Sequence, residues 1–443
     1  MQAYLKSLSE KLFNELNGNE ELSVGLHSEE SEFVRFNHSL VRQNTHVHQH
    51  EVTFQFQNDG RTYTKTATLT LDPETDLVLG RETIKEMRAV LPLIDPSPKY
   101  TAMVNNGTSE VFQKSERPPV EKVIHHISDV FSKSDLAGFY CAGPLRQASL
   151  NSKGQSHYFE NDCFFFDYSV YDGPRAAKGY YADDQWNEAR FDKQASHVKN
   201  TLSLLVKPQI KVKPGAYRTY LAPMAVGEIA EIFNWRAVSR SQYEQGFTPL
   251  KKLFTREQLF SPHFSLIENN SLGLNSPFNT IGEISPSVLP IIENGEMKNF
   301  LINSATAKEY NLVSNNADAG MWSAEVMRSM EIRAGTLAED QILKELGTGL
   351  YLTNLHYINW SDPQAARLTG MTRFACFWVE NGEIAGPIQD LRFDDSLYNI
   401  FGAELAALTK ERSRFTNTLT YQKRRLGGML VPGALLHKMN FTL

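Results

Sequence analysis

The sequence predicts an α+β protein in which N-terminal and central helix-plus-antiparallel-sheet units are followed by a β-rich C-terminal domain. Three observations carry this reading. Apolar residues near the start fall at helical spacing, long stretches between residues 22 and 171 alternate apolar with polar, and the last part of the chain is cut into short apolar runs by Gly, Pro and Asn. At 443 residues the chain exceeds one compact core, and the expected division is 1–110, 111–212 and 213–443.

Leu5, Leu8, Leu12, Phe13 and Leu16 make the first element a helix. From Leu22 to Leu71 the alternation predicts four antiparallel strands, with Asn58-Asp59-Gly60 as a hairpin turn because glycine accepts the positive φ a tight turn needs. A second helix is expected from about Glu74 to Leu91, followed by an extended stretch through Pro96 and Pro98. Pro118-Pro119 opens a third helix, where a missing N–H costs nothing, and Val120, Val123, Ile124, Ile127, Val130 and Phe131 form its apolar stripe. Ala137 to Tyr171, rich in aromatics such as Phe164-Phe165-Phe166, reads as two long strands beneath a helix. After a turn at Pro214-Gly215, the strand Tyr217 to Leu221 leads into a helix from about Pro223 to Gln242, and mostly short strands follow.

Composition excludes several functions. With 41% hydrophobic and 22% charged residues the chain can offset its folding entropy, so wholesale disorder is not expected. A net charge of -6 removes the positive field that a non-specific nucleic-acid binder uses, so no nucleic-acid partner is expected. Cys141, Cys163 and Cys376 are too few and scattered for a disulfide framework, which suits a reducing cytoplasm. Lysines and glutamates interrupt Met1 to Leu16, and no stretch reaches the roughly 18 uncharged apolar residues of a span, so neither export nor a membrane partner is expected.

No Gly-x-Ser-x-Gly elbow or phosphate-binding Gly-Lys-Ser/Thr loop is present. His46, His48 and His50 alternate on one predicted strand and so share a face, the best arrangement for a metal of this chain's own. Same-face residues on one strand stand about 6–7 Å apart, however, so a histidine-rich strand face is the simpler reading. His125-His126 point about 100° apart on their helix and are poorly placed to chelate together. Lys423-Arg424-Arg425 reads as solvated surface, with contact to an acidic partner the alternative.

The segment Glu32 to Gln43 (EFVRFNHSLVRQ), the junction Pro214 to Glu228 (PGAYRTYLAPMAVGE), Pro277-Phe278-Asn279, Gly347 to Thr353 and Leu368-Thr369-Gly370 with Phe377 to Ile384 (FWVENGEI) resemble, in order, segments of the TldD/PmbA family. The last of these is closest to the PmbA/TldE branch. Asn279-Thr280-Ile281 and Asp394 to Leu397 depart from the family pattern. The resemblance implies a metalloprotease family whose catalytic chains carry His-Glu-x-x-x-His on the junction helix, where two imidazoles bind zinc and the glutamate acts as base. Here Pro223 and Glu228 occupy the histidine positions and Met224 the glutamate position, so no catalytic residue and no metal site is expected. Cys376 is offset from the place of the family's cysteine ligand and reads as a buried small hydrophobe.

The resemblance therefore implies a non-catalytic subunit, with zinc in a TldD-like catalytic partner and a flexible or unfolded peptide as substrate. Gly349, Leu350, Tyr351, Leu352 and Thr353 are the candidate sheet edge for such a peptide, because strand addition supplies affinity with little sequence demand. The alternatives are a stand-alone peptide-binding homodimer and a hydrolase with a relocated metal at His46, His48 and His50.

Overall fold

The computed structural model describes residues 1–113, 116–319 and 324–442. Helix α1 (Gln2–Phe13) precedes the strands β1 (Glu21–Asn37), β2 (Leu40–Asn58) and β3 (Arg61–Thr68). Next come α2 (Pro73–Val90), β4 (Thr108–Gln113), α3 (Val120–Val130), β5 (Asp135–Asn151), β6 (Ser156–Asp172), β7 (Arg175–Tyr181) and α4 (Glu188–Leu204). Local chemistry sets several boundaries. Asp72 caps α2 by accepting from Thr75 N, with Pro73 in the first turn, and Asn187 caps α4 through Arg190 N. Asp59 and Gly60 take the positive φ values of the tight β2–β3 turn.

The segment from Leu22 to Leu71 forms three strands rather than the expected four. Strand β1 runs unbroken through Glu29 and Ser31, polar residues that are buried on its length, so the expected gap in the middle is continuous pairing to β2. The strands order as β3-β2-β1-β5-β6-β4, with β7 also on β6, and β1 pairs with β5 from Ser23 to Phe36. The first two helix-plus-sheet units thus contribute to one seven-stranded sheet.

All four helices lie on one face of that sheet. Leu5, Leu8 and Leu12 of α1 and Ile84 and Met87 of α2 pack on Val24, Leu26, Val52 and Phe54. Val123 and Ile127 of α3 and Phe191 of α4 pack on Phe164, Phe166 and Tyr168. Burying each such side chain contributes roughly 1.5–3 kcal/mol. The opposite face, carrying Phe33, Phe139, Cys141 and Phe165, meets the rest of the chain.

That remainder begins with β8 (Gly215–Leu221) and α5 (Pro223–Ala230). Then follow β9 (Leu266–Asn269), β10 (Val288–Glu293), β11 (Glu296–Met297), β12 (Asp318–Ala319), β13 (Glu325–Val326), β14 (Ser329–Ile332) and β15 (Gly349–Leu352). The last strands are β16 (Asn354–Asp362), β17 (Arg367–Arg373), β18 (Phe377–Glu380), β19 (Glu383–Pro387), β20 (Arg392–Ser396), β21 (Leu405–Thr416) and β22 (Gly428–Phe441). The main path of the large sheet runs β11-β10-β9-β14-β22-β8-β15-β18-β19, so β8 and β15 are interior strands with a neighbour on each side. The helix expected to reach Gln242 stops at Ala230, tightens into a 3-10 turn over Glu231–Asn234, and breaks at Trp235 and Arg236, where Arg236 has φ 79. Asn234 explains the break, because its side chain accepts from Met327 N and donates to Met327 O, tying the turn to a distant segment. Among the described residues no helix is long and apolar enough to cross a membrane.

Candidate functional site: the α5 helix and the aromatic face

Strands β8 and β15 run parallel in register, Leu221 opposite Leu352, and Ala222 N then donates to Leu352 O at 2.9 Å. Pro223 and Thr353, far apart in sequence, therefore leave the sheet side by side. The close approach depends on Gly349, where a Cβ would lie 2.1 Å from Arg218 O. Helix α5 buries Ala225, Val226, Ile229 and Ala230, and Gly227 faces Met429 Sδ and Phe415. Met224, Glu228 and Glu231 fall on the remaining side of the helix, since positions three and four apart share a face.

Met224 packs into a cluster with Phe33, Phe139, Phe165, Tyr180 and Phe415. Its thioether sits among aromatic rings, and Asn354 Nδ2 contacts its sulfur. Phe33 stacks on Phe139, Phe139 meets Phe165, Phe165 stacks on Tyr180 and Tyr180 meets Phe415, so a row of five rings crosses this side of the sheet. Glu228 keeps contact with solvent. Even so, partial desolvation by the surrounding chain raises its pKa, with the Glu231 charge adding to the rise. Lys178 and Asp167, which pair with each other across β7 and β6, face it. Burial raises Glu231 in the same way, partly offset by a hydrogen bond to Asn234. The site is the surface of α5 beside the aromatic face of the seven-stranded sheet, with two exposed but reluctantly ionised carboxylates, Glu228 and Glu231.

This donor set does not fit a zinc ion. Pro223 has no ligand atom, Met224 is turned into rings, and Glu228 is a single carboxylate where at least three protein ligands are needed. Cys376 is 3% exposed and directs Sγ at the carbonyls of Arg373 (3.4 Å) and Asn354 (3.8 Å), while burial pushes its thiol pKa up. It behaves as a core residue behind the helix. His46, His48 and His50 do share one face of β2, but His46 turns to Glu32 and His50 is buried against Ser28 Oγ at 2.8 Å. Among the described residues no three His, Cys, Asp or Glu side chains gather as a metal site.

Residues 214–443, just over half of the chain, match the model of the PmbA/TldA metallopeptidase C-terminal domain. The chain belongs to the PmbA/TldD family. Metalloprotease PmbA of Escherichia coli O157:H7 is 30% identical over 129 residues, 29% of this chain and 26% of that protein, so the aligned stretch spans about a quarter of the relative. The fold extends much further. TldE from Thermococcus kodakarensis superposes with a TM-score of 0.78 at 16% identity, covering 99% of this chain and 100% of that one. A Thermotoga maritima protein described as a modulator of a DNA gyrase gives 0.77 at 16% identity with the same coverage. Identities this low establish the shared PmbA/TldD fold and nothing finer.

Two expectations are corrected within this family frame. Gly349–Leu352 is no sheet edge. It pairs with β8 on one side and with β18 on the other, and Gly349, Leu350 and Leu352 are buried, so its main-chain groups have no capacity left for a peptide. A free edge exists on β2, because β3 reaches it only from Glu51 onward and Leu40 to Gln49 pair with β1 alone among the described residues. The basic cluster is solvated surface only at Arg425. Arg424 is 3% exposed, and Lys423 pairs with Glu51. Sequence reading missed Glu231, one helical turn from Glu228 on the same face, and Lys178, which only the fold places opposite Glu228.

Proposed function

We propose that the chain is the non-catalytic member of a two-chain peptidase that works on unfolded or flexible peptides in the reducing cytoplasm. A TldD-like partner supplies the zinc ion and the hydrolytic chemistry. The observation that carries this reading is the side chain of Met224, seated against aromatic rings at the position of the general base, with Pro223 and Glu228 at the positions of the two histidines. This chain's own contribution is binding and exclusion. The exposed Glu228 and Glu231 beside its aromatic row present a surface to an extended peptide, and the free edge of β2 offers main-chain N–H and C=O groups for strand addition.

The test is to purify the chain from its native host and measure companions and metal together. An equal amount of a chain bearing His-Glu-x-x-x-His, with zinc and peptidase activity appearing only in the complex, supports the proposal. Recovery of the chain alone, without such a companion, counts against it.

A further inference from the structure

In the seven-stranded sheet Ser23 of β1 stands between Gln55 of β2 and Asn151 of β5. These residues and Gln57 alternate with Val24, Phe54, Phe56 and Leu150, which pack under α1 and α2, so they point to the helix-free face. The connection from α2 to β4 crosses over them and is tied to the sheet twice. Ser97 N donates to Gly60 O at 3.1 Å, and Asn151 Nδ2 donates to Val104 O at 2.7 Å. Thr280, Ile281 and the first turn of the helix Ser304–Tyr310 stand across from this strap. Lys99 of the strap pairs with Glu309 of that helix at 2.7 Å. These walls leave a cavity of about 460 Å³, a size typical of small-molecule sites.

Gln57 gives the cavity its chemistry. The residue is 3% exposed, and its Nε2 donates to Thr62 Oγ1 at 3.2 Å and to Thr101 O at 3.1 Å. A carbonyl can only accept, so the amide is held with its nitrogen toward Thr101. Its Oε1 is then a buried acceptor in the cavity wall with no donor among the described residues. Leaving such an atom unpaired costs roughly 1–3 kcal/mol, which a bound N–H or O–H recovers. The buried ionised groups of the lining are already engaged. Glu283 accepts from Asn279 Nδ2 at 2.7 Å and from Ser304 Oγ, and Asp318 pairs with Arg328 at 2.7 Å. Asp95 is exposed. An ion entering here would lose its water without gaining a free counter-charge, whereas an amide or hydroxyl meets groups of its own kind. Ile94, Met103 and Val104 give the same cavity an apolar side.

We propose that this cavity binds a small uncharged molecule bearing amide or hydroxyl groups, one of which donates to Gln57 Oε1 while an apolar part lies against Ile94, Met103 and Val104. The inference goes beyond the peptidase reading and stands without it.

Ligand-observed NMR titration of the full chain tests it with three probes: N-acetylglutamine amide, methyl glucoside and, as the charged control, N-acetylglutamate amide. At least one neutral probe is expected to bind saturably, and which one does so tells an amide ligand from a polyol. The charged control should bind at least roughly tenfold more weakly than N-acetylglutamine amide, or not at all. Gln57→Leu should weaken the neutral probe by roughly tenfold or more, and Ala305→Trp, which fills the cavity from the opposite wall, should abolish its binding. Failure of both neutral probes to bind overturns the proposal, as does a charged control that binds equally well. Binding that survives Ala305→Trp lies elsewhere on the chain and overturns it too. If Gln57→Leu does not fold, Ala305→Trp decides by the same criterion.

Discussion

The main-chain N–H of Ala222 donates to the carbonyl of Leu352 at 2.9 Å, and through this bond the start of α5 and the end of β15 form one floor. The helix that would bear a metal in a catalytic relative and the strand expected to bind peptide are thus a single structural unit. It is packed interior rather than an accessible rim.

That unit is sensitive at Gly349. A Cβ there would press to 2.1 Å on Arg218 O, a main-chain atom that cannot swing aside. Gly349→Ala is expected to cost about 1–3 kcal/mol, read as a lowered urea midpoint with an unchanged slope.

Acid destabilises the fold through His27. Burial, joined by the Lys423 charge, lowers its pKa from 6.5 to about 4, against an opposing pull from Glu51. Because the folded pKa is depressed, the unfolded chain binds the proton more readily between these values. Stability is whole above about pH 6.5 and falls as pH drops toward 4, by at most roughly 3 kcal/mol. His27→Gln should flatten this part of a stability-versus-pH curve, and an unchanged slope would remove His27 as its source.

Restoring the family motif should not restore a metal. Pro223→His, Met224→Glu and Glu228→His together provide two imidazoles, but Cys376 stays buried and aimed at the carbonyls of Arg373 and Asn354. Zinc well below one equivalent per chain is expected after dialysis, measured by atomic emission. The Met224→Glu change alone should cost roughly 1–3 kcal/mol by placing a carboxylate among rings.

Glu228→Gln should act the other way. The folded pKa of Glu228 is raised, so its ionised form opposes folding near neutral pH and the penalty disappears as pH falls through that raised value. The substitution is expected to stabilise by a few tenths of a kcal/mol at pH 7, a small effect because solvent reaches the group. The gain should vanish in acid.

Much of the fold was legible because it is locally encoded. The apolar stripe of α3 and the alternation of β5 and β6 each carry their own period, and the Asn58-Asp59-Gly60 turn carries its own backbone preference. The motif positions on α5 were legible for a similar reason, since a proline side chain offers no ligand atom and a methionine cannot take a proton wherever they fold. What was not legible depends on partners far along the chain. Glu29 and Ser31 look like a strand break until Arg424 arrives to satisfy them. Gly349–Leu352 looks like an edge until β8 and β18 flank it. The helix after Pro223 looks long until Asn234 is drawn to Met327.

The most direct measurement is zinc content and peptidase activity of the isolated chain beside those of the complex recovered from its native host. The isolated chain should hold no stoichiometric zinc and cleave nothing, while the complex should contain a second, zinc-bearing polypeptide and be active. Zinc bound at one equivalent near Glu228 in the isolated chain, with peptide cleavage, would place the chemistry here and end the assignment to a partner.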